Sequence, residues 1–110
     1  MAWLYSDQWA AGFFDGEGNI YLRTRGGRRT REVHAQVTQK LKPPLEELHR
    51  RWGGSLTETK TPSGCYRWRV AAQKAEAFLR SIEPFVLVKA PAVKEALDER
   101  ANTRVWARRA

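Results

Sequence analysis

Two carboxylates, Asp15 and Glu17, close the run Trp9-Ala10-Ala11-Gly12-Phe13-Phe14-Asp15-Gly16-Glu17-Gly18, where a short helix of small and apolar residues gives way to a strand pattern. A carboxylate at such a junction, with the backbone carbonyl of the adjacent Gly16, offers hard oxygen ligands suited to Mg²⁺ held beside a phosphate. Gly12 and Gly16 are four apart and share one helix face, so a second helix can pack there almost backbone to backbone. Close packing of that kind carries Glu17 to the seam. The chain holds this run once.

The elements that must position these carboxylates are readable from periodicity. Ser6 can cap a helix running from about Asp7 to Phe14, with Gly16 and Gly18 releasing the chain. Asn19 to Arg25 then alternates as a strand, with Ile20, Leu22 and Thr24 on one face and Tyr21, Arg23 and Arg25 on the other. Gly26-Gly27 turns it. In the returning strand Val33, Ala35 and Val37 face inward and His34, Gln36, Thr38 and Lys40 outward, and Pro43-Pro44 opens a helix through Trp52 that Gly53-Gly54 ends. Strands near Ser55 to Lys60 and Cys65 to Ala71 flank a Thr61-Pro62-Ser63-Gly64 turn, the second setting Tyr66, Trp68 and Val70 against Arg67 and Arg69. Helices from about Gln73 to Ile82 and from Ala92 to Arg109 complete an α+β pattern of four antiparallel strands with helices on one face.

Such a sheet leaves its other face open, and the positions expected there are Tyr21, Arg23, Arg25, His34, Gln36, Thr38, Glu58, Lys60, Arg67 and Arg69. A ribbon surface of this kind can lie in a major groove. Arg pairs with guanine O6 and N7, Gln with adenine N6 and N7, and Glu58 can accept from cytosine N4, while Lys40, Arg28, Arg29 and Arg31 suit phosphates.

Composition agrees. The 110 residues carry a net charge of +8, and Arg23, Arg25, Arg28, Arg29, Arg31, Lys40 and Lys42 face only Glu32 among acids between residues 18 and 45. That is the electrostatic footprint of a polyanion-binding protein. An anionic membrane would attract the same charge, but no apolar stretch approaches the roughly 20 residues that a span requires. One domain covering residues 1–110 can bury about two-thirds of its unfolded surface. Cys65 is the single cysteine, which leaves neither a disulfide framework nor a thiolate zinc set. Without a secretory or transit pattern at Met1 to Tyr5, a reducing, cytoplasmic setting with access to DNA is expected.

Three segments carry a resemblance. Ala10 to Gly18 resembles, position by position, the signature of the LAGLIDADG homing endonucleases, with Ala10 for the leading leucine, Phe13 and Phe14 for aliphatics and Glu17 for the last aspartate. Gln36-Val37-Thr38-Gln39-Lys40 is similar to the end of the second strand in single-motif members, and Pro84-Phe85-Val86-Leu87-Val88-Lys89 to the segment delivering their active-site lysine. The resemblance runs through nearly the whole chain, in the family's order. It implies an αββαββα domain whose dimer forms a DNA-binding saddle, with Ala11, Gly12, Asp15 and Gly16 at the helix–helix interface and Asp15 capping or orienting helix ends.

The same resemblance implies that Glu17 ligates Mg²⁺ with help from the Gly16 carbonyl, and that Gln39 and Lys89 orient and activate water or steady developing charge. Mn²⁺ or Ca²⁺ can occupy such a site, Ca²⁺ without supporting chemistry. Lys42 is the residue available for an auxiliary basic role that relatives fill a few positions beyond the glutamine. The implied activity is a double-strand break in a long, near-palindromic DNA site, serving intron or intein mobility. A non-cleaving DNA- or RNA-binding protein of the same fold, such as a maturase or regulator, and a small basic RNA-binding protein of ribosomal type remain open alternatives.

Overall fold

The computed structural model describes residues 6–24, 31–60 and 64–109, with the side chains of 104–109 left aside. Its elements are α1 (Asp7–Glu17), β1 (Gly18–Thr24), β2 (Arg31–Gln39), α2 (Lys42–Trp52), β3 (Ser55–Glu58), β4 (Tyr66–Ala71), α3 (Ala72–Ile82), a 3-10 turn (Glu83–Phe85) and α4 (Ala90–Arg109). The expected order of elements holds. The Gly26-Gly27 turn and most of the Thr61 to Gly64 turn lie outside the described residues.

The helix α1 starts where expected, with the Ser6 hydroxyl accepting from the Trp9 amide at 3.1 Å. It runs three residues further than expected, through Gly16 to Glu17. Each interior glycine costs about 1 kcal/mol relative to alanine, but burial of Ala10, Ala11 and Phe14 on the inner side outweighs it. The next glycine is steric in origin: a Cβ on Gly18 would lie 2.2 Å from the Phe14 ring, so strand β1 can leave α1 only from a residue without a side chain.

The sheet is antiparallel in the order β1-β2-β4-β3. Its inner rows pair Ile20 with Ala35, Leu22 with Val33, Ala35 with Val70, Val37 with Trp68 and Leu56 with Trp68. All helices lie on that side. Phe78 of α3 is the hub, meeting Phe14, Trp52 and Trp68 edge-on at centroid distances of 5.1, 4.9 and 4.9 Å. One ring thereby joins α1, α2 and β4 to α3. The Trp68 indole N–H is satisfied by the Gly53 carbonyl at 2.8 Å.

The register corrects two positions. Glu58 pairs with Tyr66, in the same parity as Leu56 and Trp68, so it stands at the end of the helix-covered face rather than on the open one. Lys60 lies beyond the end of β3 and belongs to the rim of the sheet. Because Phe78 supports three elements at once, Phe78→Ala should cost about 3–5 kcal/mol, read as a lowered denaturant midpoint, whereas alanine at the exposed Arg80 should stay within about 0.5 kcal/mol.

Candidate active site and open sheet face

The carboxylate of Asp15 is consumed inside the chain. It accepts the backbone N–H groups of Leu87, Val88 and Lys89 at 2.9, 3.0 and 2.8 Å, just before α4 begins at Ala90. Three converging donors and the positive end of a helix dipole hold a negative charge there. The Asp15 carboxyl is accordingly pulled below its ordinary value of 3.8, first by the Lys89 amide and then by those of Leu87 and Val88. Asp15 thereby ties the segment that enters α4, which starts at Ala90 rather than Ala92, to the last turn of α1.

The clasp also places Lys89. Its ammonium donates to the Asp15 carbonyl at 2.7 Å and lies 6.0 Å from the Phe14 ring centroid, beside the last turn of α1. Carbonyls in a final helical turn have no N–H four residues ahead to serve, which leaves the Gly16 oxygen available. Glu17, the last residue of α1, is exposed, and its carboxylate makes no hydrogen bond or ion pair among the described residues. Gly18 pairs with Val37, so Gln39, two residues further along β2, extends past the start of β1 at the end of the sheet where α1 enters. Its side-chain oxygen accepts the Lys40 amide at 3.1 Å.

Glu17, Gly16, Gln39 and Lys89 therefore share one end of the molecule. Among the described residues no three His, Cys, Asp or Glu side chains cluster as a metal site. One carboxylate and one carbonyl fit Mg²⁺, which commonly takes one or two carboxylates and completes its shell with water and substrate phosphate. The face of α1 next to this end is open: a Cβ built on Gly12 or Gly16 meets nothing within 4 Å among the described residues. Ala11, expected at the same interface, is fully buried in this chain's own core and has no side chain to offer a partner.

The open sheet face carries Tyr21, Arg23, Gln36, Thr38, Arg67 and Arg69 as expected, with Arg23, Thr38, Arg67 and Arg69 exposed. Sequence reasoning missed Asn19, Ser55 and Thr57 on that face, although alternation around Leu56 contains the signal for the last two. Arg25, Arg28 and Arg29 lie outside the described residues. Arg31 has the opposite parity and turns to the helix side, where its amide and guanidinium bond Glu99 at 2.9 and 3.3 Å and Glu95 lies 3.8 Å away. It ties α4 to β2 and is not a free phosphate ligand. His34 is on the open face but only 5% exposed, too covered for a base contact. Lys40 is exposed at the end of β2, and Lys42, in the first turn of α2, sits 5.5 Å from the Tyr66 ring centroid.

The fold has solved counterparts. The homing endonuclease I-CvuI, described with the I-CreI target and 2 mM Mg, aligns with a TM-score of 0.67 and 22% identity over 84% of this chain and 63% of that one. The archaeal intron-encoded I-Vdi141I complexed with DNA gives 0.64 and 22% over 79% and 61%. The LAGLIDADG protein I-SmaMI, bound to uncleaveable DNA, gives 0.75 and 14% over 93% and 38%. This chain has the LAGLIDADG homing endonuclease fold. It spans less than two-thirds of each of these proteins, and no protein-family model and no curated protein matches its sequence. No helix among the described residues is long and apolar enough to cross a membrane.

Asp15→Asn should loosen the segment before α4, raising hydrogen exchange at the Leu87, Val88 and Lys89 amides. Because the folded Asp15 titrates below its unfolded value, its contribution to stability is fully present above about pH 4 and is lost as the pH falls through the lowered folded value. The stability gap between wild type and Asp15→Asn should narrow in acid, and a constant gap down to about pH 2 would contradict the assignment.

Proposed function

We propose that residues 1–110 form one LAGLIDADG-type endonuclease domain that acts as a homodimer and cuts both strands of a long, near-palindromic DNA site with Mg²⁺. The observation that carries this reading is the convergence at the end of α1: an exposed, uncommitted Glu17 carboxylate, the Gly16 carbonyl, and Lys89 held by the Asp15 clasp. The solved proteins of the same fold are described in complex with DNA, one with 2 mM Mg and uncleaved DNA and one with 2 mM Ca, which supports DNA as the partner and a divalent metal as the cofactor.

When bound, Mg²⁺ supplies a more acidic water and charge stabilisation for the leaving 3′ oxygen. Glu17 and the Gly16 carbonyl would hold it. Lys89 brings positive charge next to that position, where it favours the charge that develops on the phosphate. Gln39, with both a donor and an acceptor on its amide, orients the attacking water. The same oxygen ligands would accept Mn²⁺, and would accept Ca²⁺ without supporting the chemistry.

Assembly follows from the bare face of α1. Two exposed helical glycines sacrifice about 1 kcal/mol each relative to alanine, although a Cβ on either meets nothing within 4 Å among the described residues. A two-fold copy of α1 packed there places one Glu17 near each strand's scissile phosphate. Phe85, Leu87 and Val88, exposed by 42%, 83% and 78%, offer apolar surface near the same end. Arg67 and Arg69 then face base edges with Gln36 and Thr38, while Lys40, Lys42 and Lys60 line the rim for phosphates.

Glu17→Gln should lose strand scission by on the order of a hundredfold or more while keeping site binding, measured by gels over a Mg²⁺ titration. Full activity in this variant would refute the catalytic assignment, and an inactive wild type would favour a binding-only protein of this fold. Gly12→Leu should leave the isolated chain folded, since a Cβ at this position meets nothing within 4 Å among the described residues, and should abolish dimerisation together with double-strand cutting. Light scattering that shows a wild-type monomer making double-strand cuts would defeat the dimer.

A further inference from the structure

The open face contains a buried polar group that the cleavage chemistry does not use. His34 lies in the second strand of the sheet with its Nε2 at 2.7 Å from the Glu32 carboxylate. An ionised carboxylate only accepts, so Nε2 carries the hydrogen and donates. Nδ1 is buried without a partner among the described residues, so the bond to Glu32 is the polar contact that sets the orientation of the ring.

Tyr21 is what covers it. The two residues are directly opposite in the β1–β2 register, and their rings stack at 4.7 Å with planes 11° apart. On the other side His34 faces Ala71 of β4, whose methyl group leaves room above the sheet. Adjacent strands run about 4.8 Å apart. Stacked on His34 of β2, the Tyr21 ring presents its hydroxyl to a residue two strands away: Arg69 Nη1 donates to it at 3.3 Å. Arg69 is opposite Gln36, the other side chain on this part of the face suited to reading a base.

We infer that His34 is a positioning residue for base recognition: fixed by Glu32, it is the platform for Tyr21, whose hydroxyl aims the Arg69 guanidinium at one base pair of the target. The inference rests on the reading of this face as the DNA-binding surface. Arg has five N–H donors, and the one given to Tyr21 leaves enough for a bidentate contact to guanine O6 and N7. An exposed arginine with no such tether samples many rotamers that binding must freeze, and fixing its direction beforehand removes part of that cost. The exposed Arg69–Tyr21 bond adds little to folding stability. Its effect is on direction.

The test is binding selection from a randomised target library with wild type, Arg69→Ala, Tyr21→Phe, His34→Ala and the double variant Tyr21→Phe/Arg69→Ala. Arg69→Ala should lose roughly tenfold of preference at one base pair. Tyr21→Phe retains the ring and the stack, and should lose most of that preference at the same base pair while affinity for random DNA changes by less than about twofold. His34→Ala should match it. The double variant should lose no more than Arg69→Ala alone, because the residues act as one unit. Full preference in Tyr21→Phe, or losses that add at separate base pairs, would overturn the relay and leave the DNA-binding reading standing. A wild type without preference for any sequence would overturn both.

Discussion

The candidate site at the end of α1 depends on one carboxylate accepting three backbone N–H groups. Asp15 closes the gap between the last turn of α1 and the segment entering α4, and its negative charge is favoured by the same donors and helix dipole that it caps. The clasp fixes the backbone of Lys89, and the Lys89 ammonium then binds the carbonyl of the residue that holds it. Asp15 is thereby spent on structure, and Glu17 is left as the carboxylate of this helix end free to meet something outside the chain.

A second constraint divides the sheet. The central inner rows, from Leu22 and Val33 to Val37 and Trp68, are apolar and packed beneath the helices around Phe78, which makes the direction of the open face a consequence of core packing. Parity then decides roles that residue type alone does not. Arg31 and Arg69 are the same amino acid on sheet strands, yet Arg31 has inner parity and is bound to Glu99, where its amide and guanidinium draw that carboxyl below its ordinary value. Arg69 has outer parity and reaches solvent and Tyr21.

Much of the fold was legible because two-residue alternation and turn-forming glycines and prolines are local signals. The inward set of Val33, Ala35, Val37, Trp68 and Val70 followed directly from alternation. The extent of α1 did not, since glycine argues for release and only burial of Ala10, Ala11 and Phe14 keeps the helix going through Gly16. Glu58 differs from expectation because β3 ends there and two-residue alternation from Leu56 puts it on the inner side. The site was legible in residue type but not in contacts: Glu17 and Gly16 stand out by chemistry, whereas Gln39 and Lys89 stood out through resemblance. The partners of Asp15 are 72 to 74 residues away in sequence, a pairing that no local pattern encodes. His34 shows the same limit, because alternation gives its face and not the tyrosine that covers it.

The most direct test of this account is single-turnover cleavage by Asp15→Asn, measured alongside its affinity for the target. If the clasp is what sets Lys89 beside the Glu17 site, this variant should bind its target as wild type does and cut more slowly by on the order of a hundredfold, as expected when a helper group is misplaced by about 1 Å. Cleavage at the wild-type rate with unchanged binding would show that the geometry of this helix end does not depend on Asp15, and would contradict the account.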